Sequence, residues 1–254
     1  MSSFAGEFLV SVARLLWPDT CVACGTNDRT NQGFCEDCGR QLLSVAALEA
    51  CPRCGSTVGP GLGAGEDGCS RCPDVMFRFH RVVRLGPYVA PLRAAIRQMK
   101  YCRWGRGIRE LGGLLAEAVS ARCAGERLDV VVPVPMHWLR RLGRGWNHSG
   151  SLAQGVARRL KLPFGDELVR VRNTPPQVWL PASRRAANVR GAFAVLRPKA
   201  LAGATVLLVD DVMTTGATAN EAARTLRRAG AERVILAVLA RAEPPAAYAH
   251  RARV

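Results

Sequence analysis

The chain has 254 residues, is 48% hydrophobic and carries a formal net charge of +16. That length fits one medium domain with a small module, and no apolar run reaches the roughly 18 residues of a membrane-spanning helix. The charge is uneven: residues 1–72 sum to −3 and residues 73–254 to +19. The basic part suits a polyanionic partner or a phosphate-rich ligand, although 33 of the 36 basic residues are arginine, a bias that codon usage alone can produce.

Phe4 to Trp17 opens the chain with an apolar run. It carries Glu7 and Arg14 and lacks a basic front, so it reads as a short helix docking on its neighbour, not as a signal peptide or a stable membrane insertion. Four Cys-x-x-Cys pairs follow, Cys21/Cys24, Cys35/Cys38, Cys51/Cys54 and Cys69/Cys72, separated by ten, twelve and fourteen residues. A two-residue spacing lets both thiolates of a tight knuckle reach one metal, and two knuckles complete a tetrahedral four-sulfur site. Gly25, Gly39 and Gly55 directly follow the second cysteine of three pairs, where a knuckle favours a residue without a β-carbon. Two structural zinc ions are expected; sequential pairing is simplest and a crossed one stays open. Disulfides need an oxidising compartment, four knuckles exceed the needs of a thioredoxin-like pair, and an iron–sulfur cluster is a minor rival. Roughly seventy residues with few large apolar groups would not fold alone, so metal binding supplies about 10–16 kcal/mol per site. With four thiolates on each zinc the module nears about −7, which argues against it as the main nucleic-acid surface. Gly59 to Ala64 matches a dinucleotide fingerprint in letters only, since no strand precedes it, and reads as a flexible tongue.

Phe77 to Tyr88 reads as a strand with a turn at Gly86-Pro87. A helix starts at Pro91, with Leu92, Ile96 and Met99 on one face and Arg93, Arg97 and Lys100 on another; a second runs from Ile108 to Cys123. Cys102 and Cys123 lack pair partners and read as packing residues. Asp129 to Pro135 is a short buried strand ending at the sheet's ligand edge. Beyond it, Pro135, Met136, His137, Arg140, Arg141 and Arg144 lie on a glycine-bearing loop suited to pyrophosphate, because guanidinium grips phosphate bidentately. A helix from Ser149 to Leu160 and a strand from Leu168 to Arg172 come next. The polar stretch Asn173 to Arg190, with Gln177, Arg184, Arg185 and Asn188, is too long for a plain connection and reads as a mobile lid or binding loop. Gly191 to Leu196 returns as a strand, and Arg233 to Ala240 is the last one. Trp104 with Arg106, Trp138 and Trp146 interleave aromatics with arginines, as single-stranded nucleic-acid binding requires; stacking is worth about 1–3 kcal/mol per base.

The densest signal is Val206 to Thr218, VLLVDDVMTTGAT. An apolar strand ends in Asp210 and Asp211, and the small-residue loop Thr214, Thr215, Gly216, Ala217 and Thr218 opens a helix running to Ala229. Ligands of open α/β sheets bind beyond the carboxyl ends of strands, and free N–H groups at a helix start hold phosphate. Acids beside such a nest fit a ligand with hydroxyls next to a phosphate, as in ribose 5-phosphate. A P-loop is excluded, because no Lys-Ser or Lys-Thr follows the loop glycine.

The strand, acid pair and TTGAT resemble the 5-phosphoribosyl 1-pyrophosphate (PRPP) motif of type I phosphoribosyltransferases. The VPVP segment, Arg144-Gly145-Trp146-Asn147, Gln177 with Leu180, Arg184, Asn188-Val189, Gly191 and Phe193 extend the likeness. With the cysteine module they make nearly the whole chain resemble the ComF family, apart from Trp146 where Phe is common and His148 where Gln is common. The resemblance implies an α/β fold: a type I phosphoribosyltransferase-like, mostly parallel sheet flanked by helices over residues 76–254. An N-terminal helix and double zinc ribbon over residues 1–75 precede it. It implies PRPP with Mg2+ as ligand. Asp210 and Asp211 would hold the ribose hydroxyls and assist catalysis, and Thr214 to Thr218 would hold the 5-phosphate. It further implies a cytoplasmic protein handling incoming single-stranded DNA, with a helicase or competence-machinery protein as partner. In phosphoribosyltransferases for 6-oxopurines a carboxylate stands where this chain has Thr214, so efficient hypoxanthine or guanine transfer is not expected. The rival is a catalytically inactive single-strand binder or helicase-docking protein that keeps the pocket as a sensor.

Overall fold

The computed structural model describes residues 20–27, 33–59, 68–70, 72, 76–101, 107–137, 147–175 and 180–243. The N-terminal apolar run, the tongue beyond Gly59, Cys102 and the segments holding Trp104, Arg106, Trp138, Arg140, Arg141, Arg144, Trp146 and Gln177 lie outside them.

The strands are β1 (Arg81–Pro87), β2 (Val130–Pro133), β3 (Leu168–Arg170), β4 (Phe193–Val195), β5 (Thr205–Met213) and β6 (Arg233–Arg241). The helices are α1 (Glu36–Ala46), α2 (Leu92–Tyr101), α3 (Ile108–Arg122), α4 (His148–Leu160), α5 (Ala182–Val189) and α6 (Ala217–Arg228). Four strands form a parallel sheet in the order β1-β6-β5-β2, and β3 and β4 form a separate antiparallel pair.

Strand β5 shows why the sheet is central. Val206 and Leu208 pack with Ala222, Ala223 and Leu226 of α6, while Leu207 and Val209 pack with Ile96, Leu115 and Leu152 of α2, α3 and α4. Successive side chains point to opposite faces, so burial on both sides demands the unbroken apolar run seen in the sequence. Cys123 is buried in the first of these cores, as a packing residue would be.

The cysteine module is not an appendage. Cys21, Val22, Phe34 and Leu42 belong to the same buried cluster as Ile96 and Leu115. A β-carbon on Gly107, before α3, would come within 2.2 Å of Val22 Cγ1, so the first knuckle lies directly on the start of that helix. The third knuckle touches the outer edge of β1, where Val82 N–H donates to the Pro52 carbonyl at 2.7 Å.

Three expectations need correction. Gly86-Pro87 is no turn: both residues stay in β1, paired with Ala240 and Arg241. Proline is tolerated there because β1 is an edge strand, and Gly86 lets Val45 of α1 come close. The 173–190 stretch is not loop throughout, since α5 occupies Ala182–Val189. Its C-terminal end is tied to α6, where Gly191 N–H donates to Glu221 Oε1 at 2.6 Å. The strands expected at 168–172 and 191–196 are present as Leu168–Arg170 and Phe193–Val195, paired with each other in the small β3–β4 sheet. Gly39 does not turn a knuckle but lies in α1, where a β-carbon would meet nothing within 4 Å, whereas Gly25 and Gly55 do take positive φ, 79° and 70°.

Candidate functional site

The eight knuckle cysteines gather in two groups, Cys21, Cys24, Cys35 and Cys38, and Cys51, Cys54, Cys69 and Cys72. Pairing is therefore sequential. Within each group the sulfurs lie within 4.8 Å of one another. The separations Cys24–Cys35, Cys51–Cys72 and Cys54–Cys69 are each 3.7 Å. Zinc–sulfur bonds of about 2.3 Å in a tetrahedron place sulfurs roughly 3.8 Å apart, far beyond a disulfide of about 2.05 Å. Burial and the neighbouring thiols push Cys38 well up and Cys72 up to about 12. Four thiols this close ionise together only around a cation, so the donor sets fit structural zinc.

The sheet's carboxyl edge carries the second site. Asp210, Asp211, the Thr214–Thr218 loop, Lys100 of α2, Arg185 of α5 and Tyr88 line one cavity of about 310 Å3. Lys100 Nζ meets Asp211 Oδ2 at 2.8 Å. Burial works against the ammonium, but the Asp211 carboxylate outweighs it and holds Lys100 above its ordinary value. Asp210 Oδ1 accepts from Ser149 Oγ at 3.1 Å and from the Asp211 N–H at 2.9 Å. Burial, and then the adjacent Asp211 charge, push Asp210 up to about 7. Gly216 takes φ +80° as the residue before α6, a conformation only glycine adopts cheaply. An acid pair, a helix start and two cations thus converge on one ligand-sized space.

Residues 12–75 match the family described as "Double zinc ribbon domain", and residues 147–252 match "Phosphoribosyl transferase domain". Competence protein F of Haemophilus influenzae is 32% identical over 228 residues, covering 87% of this chain and 96% of that protein. The chain belongs to the ComF family. DNA utilization protein YhgH of Escherichia coli K12 is 35% identical over 208 residues, covering 80% of this chain and 87% of its own length. The protein of that name from Salmonella typhi is 34% identical over 207 residues, with coverages of 80% and 87%.

In this ComF protein the other candidates among the described residues do not all share that cavity. Pro135 and Met136 line a different cavity of about 810 Å3, with Asn147, Gln154 and Arg170, and His137 is buried. Arg185 reaches the acid-pair cavity; Arg184 is exposed, and Asn188 Nδ2 donates to the Pro175 carbonyl at 3.1 Å. Arg140, Arg141, Arg144 and Gln177 lie outside the described residues, as do the nucleic-acid candidates Trp104, Arg106, Trp138 and Trp146.

Sequence reading missed Lys100, Ser149 and Tyr88. One signal for Lys100 was available: in a chain with 33 arginines among 36 basic residues, a lysine is the exception. Ser149 gave none, since its role follows from α4 crossing the end of β5. That helix starts one residue earlier than its pattern suggests, because Asn147 Oδ1 caps it by accepting from Gly150 N–H at 3.3 Å.

Among the described residues no helix is long and apolar enough to cross a membrane.

Proposed function

We propose that this protein binds PRPP with magnesium in the Asp210–Asp211 cavity and serves the cytoplasmic handling of incoming single-stranded DNA. The observation that carries the first half is the shared cavity of the acid pair, the Thr214–Thr218 loop, Lys100 and Arg185. In this reading the loop and the first turn of α6 hold the 5-phosphate, and Asp210 and Asp211 accept from the ribose hydroxyls. Arg140, Arg141 and Arg144 hold the pyrophosphate. Bound magnesium neutralises part of the pyrophosphate charge. Lys100 gives up Asp211 to the ribose and turns its ammonium to the ligand's phosphates. If transfer occurs, it is displacement at the anomeric carbon, with the carboxylates steadying the cationic ring.

Thr214 offers no acid or base for a purine ring, so the acceptor is a small amine, ammonia or none. Incubation with PRPP, magnesium and radiolabelled hypoxanthine should yield no robust inosinate, and robust product would overturn this assignment. The DNA half rests on the relatives named competence protein F and DNA utilization protein.

A second reading, single-strand binding with the pocket as a sensor, is favoured by one further observation. A groove of about 630 Å3 is lined by Arg53, Arg78, Arg81, Arg227 and Arg233, and it adjoins a hollow bounded by Arg224 and Arg228. Arginines along a groove track a phosphate backbone. Binding of a fluorescent single-stranded oligonucleotide across a salt series tests this. Replacing Arg78, Arg227 and Arg228 together by alanine should weaken binding and flatten the salt slope by up to about 2. An unchanged slope sinks the groove as the contact surface.

A further inference from the structure

The second cysteine centre lies against the phosphate loop, and three contacts join them. Phe77 packs against the buried cluster of Cys51, Cys54 and Val58 that this centre builds. Its ring also abuts Gly216: a β-carbon there would come within 2.9 Å of Phe77 Cε1. The next residue, Arg78, donates its N–H to Asn220 Oδ1 at 2.6 Å, in the first turn of α6. On the other side, Arg241 at the end of β6 bridges the two parts. Its Nε donates to the Cys54 carbonyl at 3.0 Å, and its Nη1 to the Met213 carbonyl at 3.4 Å and the Ala242 carbonyl at 2.9 Å. Met213 is the last residue of β5, directly before Thr214.

We infer that the second cysteine centre braces the 5-phosphate loop, with Phe77 and Arg241 as positioning residues that set its affinity for sugar 5-phosphates. The physical reason is preorganisation. The loop turns on Gly216 at positive φ, and a loop of small residues supplies little packing of its own to hold its N–H groups in place. Phe77 closes the space beneath Gly216, and Arg241 fixes the carbonyl at which the loop begins. Both draw their own placement from the knuckle around Cys54. The first centre makes no such contact among the described residues; it is built into the core beside α2 and α3. A double ribbon sharing one chain with a sugar-phosphate pocket then has a division of labour: one centre holds the fold, the other holds the site.

This inference rests on the PRPP reading, and the test separates the two. Ribose 5-phosphate, and PRPP with magnesium, are titrated calorimetrically into full-length wild type, Phe77→Ala, Phe77→Leu and Arg241→Met. Zinc content and melting temperature are measured on each sample. No binding to zinc-loaded wild type defeats the PRPP reading, and the brace with it. If wild type binds, Phe77→Ala and Arg241→Met should weaken ribose 5-phosphate at least tenfold while keeping two zinc ions per chain. Phe77→Leu, which retains apolar bulk, should recover most of the affinity. Affinities within twofold of wild type for Phe77→Ala and Arg241→Met overturn the brace. So does a loss of affinity that merely tracks loss of zinc, with Phe77→Leu no better than Phe77→Ala.

Discussion

Replacing Lys100 by methionine tests the electrostatic design of the acid-pair cavity. The Lys100–Asp211 pair is 2.8 Å long, and its side chains are 25% and 18% exposed. At an effective dielectric near 20 the bare attraction is about 6 kcal/mol, most of it cancelled by the desolvation of both groups. Removing one partner leaves a half-buried carboxylate beside Asp210 with no counter-charge, at a net cost of about 2 kcal/mol. That cost falls on the ligand-free protein, in which Lys100 is paired with Asp211. In the bound state the lost group is the ammonium's contact with the ligand's phosphates; a charge-assisted bond of about 2 kcal/mol lost there corresponds to roughly thirtyfold weaker PRPP binding. Methionine keeps the length and apolar stem of lysine, so packing in α2 is preserved. Titration of PRPP with magnesium into both proteins at one ionic strength is the assay. A dissociation constant within threefold of wild type, or a tighter one, refutes the reasoning and makes the pair merely structural.

Further predictions concern the same architecture. Asp210 has its folded value raised to about 7, so ionising it costs stability from the unfolded value upward, and the cost levels off above about pH 7. Asp210→Asn should therefore gain on wild type by at most roughly 2 kcal/mol between about pH 5.5 and 7.5 in thermal unfolding; a difference independent of pH contradicts this. Gly216→Ala forces a β-carbon to within 2.7 Å of Met213 Cε at φ +80°, so it should cost about 1–3 kcal/mol and weaken ribose 5-phosphate binding. A neutral melt shows the loop is softer than its geometry implies. Denaturation with a zinc indicator should release two zinc ions per chain, and chelation of native protein should unfold the whole domain, because the first knuckle is part of its core. A far-ultraviolet spectrum unchanged after full removal would show that the ribbon is independent.

The legible parts of the sequence were those with local causes. Strand β5 and helix α6 could be read because double burial demands an apolar run and the tight turn into the helix demands a glycine at positive φ. The cysteine groups were legible because knuckle spacing is short range; the choice of sequential pairing was not, since it depends on how the knuckles fold together. Gly86-Pro87 misled because its turn signal is overridden by pairing with β6, which only the tertiary fold supplies. The polar 173–190 stretch hid α5, whose contacts are to α6. In the site, Asp210, Asp211 and Gly216 stood out from one motif. Lys100, Ser149, Phe77 and Arg241 come from four separate segments, and their convergence is a property of topology that no local pattern carries.

The most direct test of the PRPP pocket is calorimetric titration of PRPP with magnesium into zinc-loaded wild type and into Asp211→Asn. One saturable site is expected in wild type, and the substitution should abolish it although the variant stays folded. No binding to folded, zinc-loaded wild type, or equal binding to both proteins, would contradict that expectation.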